Sequence, residues 1–150
     1  MNLPFFSVVI PTYNRSDFLK SAVASVLSQT CIDFELLIVD DGSTDKTPSL
    51  VAGYQDARIV YVPQSHQGVS AARNAGIRAS RGPWIAFLDS DDCFAPDKLT
   101  RAREYINKFP NFSVFHTEEI WYRNNQLLNQ KTIHRKPEVM SLRRHCGFVA

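Results

Sequence analysis

Leu36-Leu37-Ile38-Val39-Asp40-Asp41-Gly42-Ser43 is an apolar run closed by two acids and a turn, and Trp84-Ile85-Ala86-Phe87-Leu88-Asp89-Ser90-Asp91-Asp92 has the same arrangement. An unbroken apolar run of about five residues fits a strand buried on both faces, and hence a parallel sheet covered by helices. Ligands of such sheets bind in the crevice beyond the carboxyl ends of the strands. The acids therefore stand where a ligand would be. Buried carboxylates without a cation or a donor are strongly unfavourable, so a metal–diphosphate site is the economical expectation.

Working outward, Phe5 to Ile10 reads as a first strand stopped by Pro11, followed by a helix from Ser16 or Asp17 to Ser28. Phe18, Leu19, Ala22, Val23, Val26 and Leu27 form its apolar stripe. The next strand is Phe34 to Val39, after which Ser43 or Thr44 caps a helix with Asp45 in its first turn. A strand at Arg58 to Val62 precedes a helix at Val69 to Ala79, whose Val69, Ala72, Ala75 and Gly76 suit close packing on a sheet. Trp84 to Leu88 is a strand, and Pro96 opens a helix that ends near Lys108, before Pro110. Phe112 to Phe115, Ile120 to Arg123 and Gln126 to Lys131 read as shorter strands, with Asn124-Asn125 as a hairpin turn. Alternating strands and helices give an α/β class with a mainly parallel sheet flanked by helices.

The 150 residues suffice for one domain, with 44% hydrophobic and 21% charged side chains and a net charge of +2. Residues 1–97 carry 7 basic and 11 acidic side chains, whereas residues 98–150 carry 10 basic and 4 acidic. The basic end suits solvent first, and anionic lipid or an acidic acceptor second; no nucleic-acid partner is expected. Cys31, Cys93 and Cys146 lack any C-x-x-C spacing, so neither a disulfide framework nor a zinc site is indicated and a reducing, cytoplasmic setting fits. The N-terminus has no basic region ahead of its apolar run, which reads as a strand and not as a signal peptide. No apolar run approaches the roughly 20 residues that span a bilayer.

Asp89 and Asp91 are one residue apart at a strand end, so their side chains leave on the same side and can share one hard cation. Mg²⁺ or Mn²⁺, bound by one or two carboxylates plus substrate phosphates, fits that pair. The bland alternative for an acidic loop is helix capping, the role expected of Asp97. Asp41 reaches the same sheet edge and can accept from a base N–H or a ribose hydroxyl. The alternative there is acceptance of turn N–H groups, and Asp40 and Asp41 are expected to divide the two roles. Pro11, Thr12, Tyr13 and Asn14 leave the first strand at that edge, and Arg73 stands one turn into its helix, within reach of phosphate or base. His66 is a lesser polar candidate, with solvent exposure the simpler reading. The chain has neither G-x-G-x-x-G nor G-x-x-x-x-G-K-[ST], which sets aside classical dinucleotide and P-loop enzymes.

Taken together, Val8-Val9-Ile10-Pro11-Thr12-Tyr13-Asn14-Arg15, Val39 to Asp45, Gly68-Val69-Ser70-Ala71-Ala72-Arg73-Asn74-Ala75-Gly76 and Phe87 to Asp92 resemble family 2 glycosyltransferases over roughly residues 5–100. The resemblance implies a GT-A fold, a nucleotide-sugar donor (UDP-sugar favoured), a divalent metal, Mg²⁺ or Mn²⁺, and inversion at the anomeric carbon. Carried over, Pro11, Thr12 and Tyr13 line the nucleotide pocket, Asp41 reads the base and Arg73 assists the nucleotide. Asp89, Ser90 and Asp91 form the D-x-D segment on the nucleotide, with Asp89 and Asp91 as the pair on ribose and metal–diphosphate. The acceptor would be a saccharide or a lipid-linked saccharide, with a role in polysaccharide biosynthesis. The setting would be cytoplasmic, with peripheral contact at the inner membrane face.

One domain over 1–150 is expected, with a nucleotide-binding core at about 5–100 and the start of an acceptor side at about 110–150. No acceptor-activating carboxylate stands in a recognisable motif, since Glu118-Glu119 comes too early, so the catalytic base is unassigned. One alternative is therefore a catalytically incomplete nucleotide-sugar-binding module. Another is a response-regulator receiver domain, in which Asp40-Asp41 opens an acidic cluster, Asp89 accepts the phosphoryl group, and Thr117 and Lys136 complete the site. The receiver reading leaves residues 1–33 and Pro11 to Asn14 without a purpose.

Overall fold

The computed structural model describes residues 3–116, 121–123 and 126–128. They form two compact units, Met1–Arg101 and Ala102–Ala150. The first holds strands β1 (Phe6–Thr12), β2 (Phe34–Asp40), β3 (Ile59–Pro63) and β4 (Trp84–Phe87) and helices α1 (Ser16–Leu27), α2 (Thr47–Ala52) and α3 (Val69–Ala79). Helix α4 (Lys98–Lys108) runs across the division, and the second unit carries β5 (Trp121–Arg123) and β6 (Gln126–Leu128).

The four strands form one parallel sheet in the order β3-β2-β1-β4, as expected, but β4 lies at its edge with Ile85 and Phe87 exposed rather than buried on both faces. Every residue of β1 and β2 is buried. Val9, Leu37 and Val39 face α3, where Ala72 completes a core against which Val60, Val62 and Ala75 pack. Val8, Ile10, Leu36 and Ile38, equally inaccessible, point to the opposite face by the two-residue period. Gly76 lets α3 lie close to the sheet, since a Cβ there would collide with a Val9 methyl and press on Val39. The chain goes from β1 to β2 and β3 on one side, then returns to β4 on the other. The order thus reverses at β1/β4, the kind of place where open α/β sheets bind ligands.

Several boundaries differ from the sequence expectation. β1 continues through Pro11 to Thr12. Leu88 N donates to Val9 O, and in a parallel strand Pro11 turns to that same side. By then the β4 ladder has ended, so the missing N–H breaks no ladder bond. Phe18 is 53% exposed and lies off the stripe formed by Leu19, Ala22, Val23 and Val26. Val69 is likewise exposed. Phe112–Phe115 is not a strand. β5 and β6 pair antiparallel, with Arg123 opposite Gln126; the expected turn at Asn124-Asn125, Ile120 and residues 129–131 lie outside the described residues, as do Glu118-Glu119, Thr117 and Lys136.

The caps expected for α1 and α2 do not hold. The residue before α1 is Arg15, with no side-chain cap, and Ser16 N donates instead to Asp45 Oδ2 at 3.0 Å. Asp45 precedes α2 and also accepts from Thr47 N at 2.9 Å. One carboxylate thus serves two helix starts, which a reading along the chain does not reveal. Burial would raise its pKa, but the Thr47 and Ser16 donors outweigh that and bring it to about 2.

The segment that carries Asp89 to Asp97 is fastened to the end of α1. Buried Gln29 donates to Ala95 O at 2.7 Å and Ser25 O at 3.1 Å, and its Oε1 accepts from Leu99 N at 3.0 Å. Ser25 Oγ accepts from Phe94 N at 3.0 Å. Gln29→Ala is expected to lower the unfolding free energy by about 2 kcal/mol, because it leaves buried backbone groups without partners. Chemical denaturation measures this, and an unchanged midpoint would count against the role given to Gln29.

Candidate nucleotide site

Three strand ends and the start of α3 deliver side chains to one open cavity of about 450 Å³. Pro11, Thr12 and Tyr13 come from the end of β1, and Asp41 from just past β2. Asp89, Ser90 and Asp91 follow β4, and Arg73 comes from α3. All the residues expected from sequence to bind nucleotide or metal therefore line a single cavity. Arg15 and His66 line it as well, although neither had a firm role in the sequence reading.

The β2 turn is built so that its two acids part company. Asp40 Oδ1 accepts from Ser43 N at 2.9 Å and Oδ2 from Tyr61 Oη at 2.6 Å, which makes it a brace. Burial first, and then the neighbouring carboxylate, push the Tyr61 phenol up to about 12, so it remains a donor. Gly42, at φ +81°, allows the tight turn; a Cβ there would lie 2.9 Å from His66 N. Asn14, at φ 51°, holds the same turn from the β1 side. Its Oδ1 accepts from Thr44 N at 2.8 Å, and its N–H donates to Ser43 Oγ at 2.9 Å. Asn14 is therefore turn chemistry.

Asp41 lines the cavity, yet its carboxylate is not idle. Oδ1 accepts from Gln64 Nε2 at 2.6 Å and Gln67 N at 2.9 Å, and Oδ2 accepts from Gly68 N at 2.8 Å. His66 Nδ1 lies 2.8 Å from Oδ2. Burial alone would raise this carboxyl; the Gln64 amide, the two backbone N–H groups and His66 together hold it below the usual carboxylate range. The imidazole also stacks on Tyr13, with centroids 4.0 Å apart and planes at 24°. His66 is thus exposed, as expected, but not unengaged.

Asp89 and Asp91 are each half-exposed and each meets an arginine. Arg73 Nη2 donates to Asp89 Oδ1 at 2.6 Å, and Arg15 Nη1 to Asp91 Oδ2 at 3.4 Å. Ser90 between them is buried. Thr12 Oγ1 is buried beside the cavity with no hydrogen-bond partner among the described residues. The arrangement combines an aromatic face, a buried acceptor, two solvated carboxylates and two guanidinium groups. Asp97 pairs with Arg101 at 2.6 Å just ahead of α4 and takes no part in the cavity.

The receiver alternative fails on this geometry, because β1 lies inside the sheet and brings Pro11 to Tyr13 into the cavity. Arg15 was legible in principle, as the residue that closes the Val8–Arg15 segment. Nothing in the spacing marked His66 as a partner of Asp41.

Comparison with known proteins agrees. An uncharacterized glycosyltransferase of Rickettsia conorii is 46% identical over 112 residues, covering 74% of this chain and 18% of that protein. The succinoglycan biosynthesis protein ExoO of Rhizobium meliloti is 44% identical over 103 residues, covering 68% of this chain and 30% of its own. Among solved structures, Staphylococcus aureus TarS 1–349 in complex with UDP-GlcNAc matches at a TM-score of 0.66 and 29% identity, over 70% of this chain and 32% of that one. The mannosyltransferase PcManGT of Pyrobaculum calidifontis, in complex with GDP-Man and Mn²⁺, matches at a TM-score of 0.66 and 26% identity, over 75% of this chain and 34% of its own. The chain spans well under half the length of these proteins. The fold is that of GT-A glycosyltransferases. The family model for glycosyl transferase family 2 matches residues 7–145, and the chain belongs to that family.

Proposed function

We propose that this chain is the donor-binding half of a metal-dependent, inverting glycosyltransferase. It takes a nucleotide-sugar, with a uridine diphosphate sugar favoured, and serves transfer to a saccharide or lipid-linked acceptor hydroxyl. The observation that carries the reading is the convergence of Tyr13, Asp41, Arg73, Asp89 and Asp91 on one cavity at the strand-order reversal. Tyr13 offers a face for a base, Asp41 an acceptor, and Thr12 Oγ1 an unfilled hydrogen-bonding position. Among the described residues no cluster of three or more metal-ligating side chains occurs. Two solvated carboxylates nonetheless fit a hard cation that completes its shell with diphosphate and water. Asp89 and Asp91 would hold Mg²⁺ or Mn²⁺, which when bound supplies a Lewis acid for the leaving diphosphate.

Arg73 and Arg15 balance the two acids and present planar donors suited to phosphate oxygens. Membership in a family of transferases favours catalysis over binding alone. ExoO, a succinoglycan biosynthesis protein, supports a role in polysaccharide synthesis. The basic excess of residues 98–150 fits an anionic acceptor or a cytoplasmic membrane face. Among the described residues, no helix is long and apolar enough to cross a membrane.

Calorimetric titration with UDP, GDP and ADP, with and without Mn²⁺, tests the reading. UDP is expected to bind, and more tightly with metal; heat from none of the three would overturn it. Asp41→Ala is expected to weaken UDP binding about tenfold even without Mn²⁺, because a buried charge-assisted hydrogen bond is lost. Equal affinity in variant and wild type would remove Asp41 from the nucleotide site.

A further inference from the structure

An ionised carboxylate offers about four lone-pair positions; this chain fills three of those on Asp41 and sets an imidazole against the fourth. Gln64 Nε2 and Gln67 N take Oδ1 and Gly68 N takes Oδ2, while His66 Nδ1 bonds to the Asp41 carbonyl O at 3.1 Å and lies 2.8 Å from Oδ2. A nucleobase N–H can reach the carboxylate only by displacing one of these donors or by moving the imidazole. Two are backbone groups, and Gln64 does not line the cavity. His66 does line it, and its side chain is 55% exposed. The same imidazole covers a face of Tyr13 at 4.0 Å. A third ring does not fit between two that are already stacked. His66 therefore stands in both places that a base would use here: flat against Tyr13, and with Nδ1 beside the Asp41 carboxylate.

We infer that His66 occupies the nucleobase position of the ligand-free protein and must swing out when a nucleotide binds, so that it sets donor affinity and base choice. The inference rests on the donor-site reading above. Apparent affinity is reduced by the fraction of molecules in which the position is free. A base with a ring N–H refills the Asp41 position, whereas one that cannot donate leaves a buried acceptor unpaired.

The test is titration of wild type and His66→Ala with UDP in the presence of Mn²⁺, together with NMR of the His66 ring. His66→Ala is expected to bind UDP on the order of tenfold more tightly. In wild type, saturating UDP is expected to abolish the ring-current shift that Tyr13 imposes on the His66 ring protons. Equal or weaker binding by His66→Ala overturns the inference while leaving the donor site in place. A His66 ring signal untouched by saturating UDP overturns it independently of the variant. Binding to neither protein overturns the donor-site reading itself.

Discussion

Asp91→Ala is expected to remove the Mn²⁺-dependent part of UDP affinity, a loss of roughly a hundredfold or about 2.7 kcal/mol. The unfolding free energy should stay within about 0.5 kcal/mol of wild type. The contrast follows from where the side chain sits. Asp91 is half-exposed, and Arg15 approaches it at 3.4 Å, a surface pair of little worth to the fold. Its carboxylate and that of Asp89 leave the same turn, which Gln29, Ser25 and Thr30 tie to α1, so losing one should not move the other. Titration of UDP at several Mn²⁺ concentrations separates the metal-dependent part from the rest. Identical Mn²⁺ dependence in variant and wild type would take Asp91 out of the metal site.

Glu35→Ala should have the opposite profile, with a loss of about 3–5 kcal/mol of stability and no direct effect on the nucleotide cavity, which it does not line. Glu35 is 2% exposed in β2. Its Oε1 accepts from Ser7 Oγ and Arg81 N, each at 2.6 Å, and its Oε2 from Arg81 Nε at 2.7 Å. Ser7 Oγ in turn accepts from Gly82 N at 2.9 Å, which positions the chain entering β4. Truncation leaves a buried hydroxyl and a backbone N–H unpaired and opens a cavity in the sheet. Urea denaturation measures the loss, and a change below about 1 kcal/mol would mean that water replaces the carboxylate.

The same carboxylates give stability a definite pH dependence. For Glu35 burial raises the pKa, but Ser7 and Arg81 outweigh it; Asp41 and Asp45 are likewise depressed, Asp45 to about 2. A depressed folded-state pKa stabilises above the unfolded value, about 4 for these groups. That contribution is lost as pH falls from about 4 toward 2. Thermal unfolding temperature should accordingly be flat above pH 5 and drop steeply below 4. A maximum below pH 4 would contradict these hydrogen-bond assignments.

The sheet was legible because β1 and β2, buried on both faces, write themselves as unbroken apolar runs. β4 has the same apolar run and leads into the acids of the ligand edge, yet it is an edge strand with Ile85 and Phe87 exposed. Val69–Ala79 was legible to the residue, since its small side chains and preceding Gly68 leave few other choices. What escaped depended on contacts across the sequence. Asp45 serves the start of α1 from some 29 positions away, and Gln29 serves the start of α4 from 70. Pro11 looked like a stop because only the end of β4 explains its tolerance. His66 looked like a solvated loop residue because its partners, Tyr13 and Asp41, arrive from two other strands. Local rules see charge and period, whereas borrowed caps and shared acceptors appear only after folding.

The most direct test of a nucleotide–metal site at the tips of β1, β2 and β4 is paramagnetic NMR with Mn²⁺ and UDP. Mn²⁺ in the presence of UDP is expected to broaden the amide signals of Asp89, Ser90 and Asp91 first, and to shift those of Tyr13 and Asp41. Broadening centred elsewhere, or none when UDP is present, would contradict the assignment of the cavity.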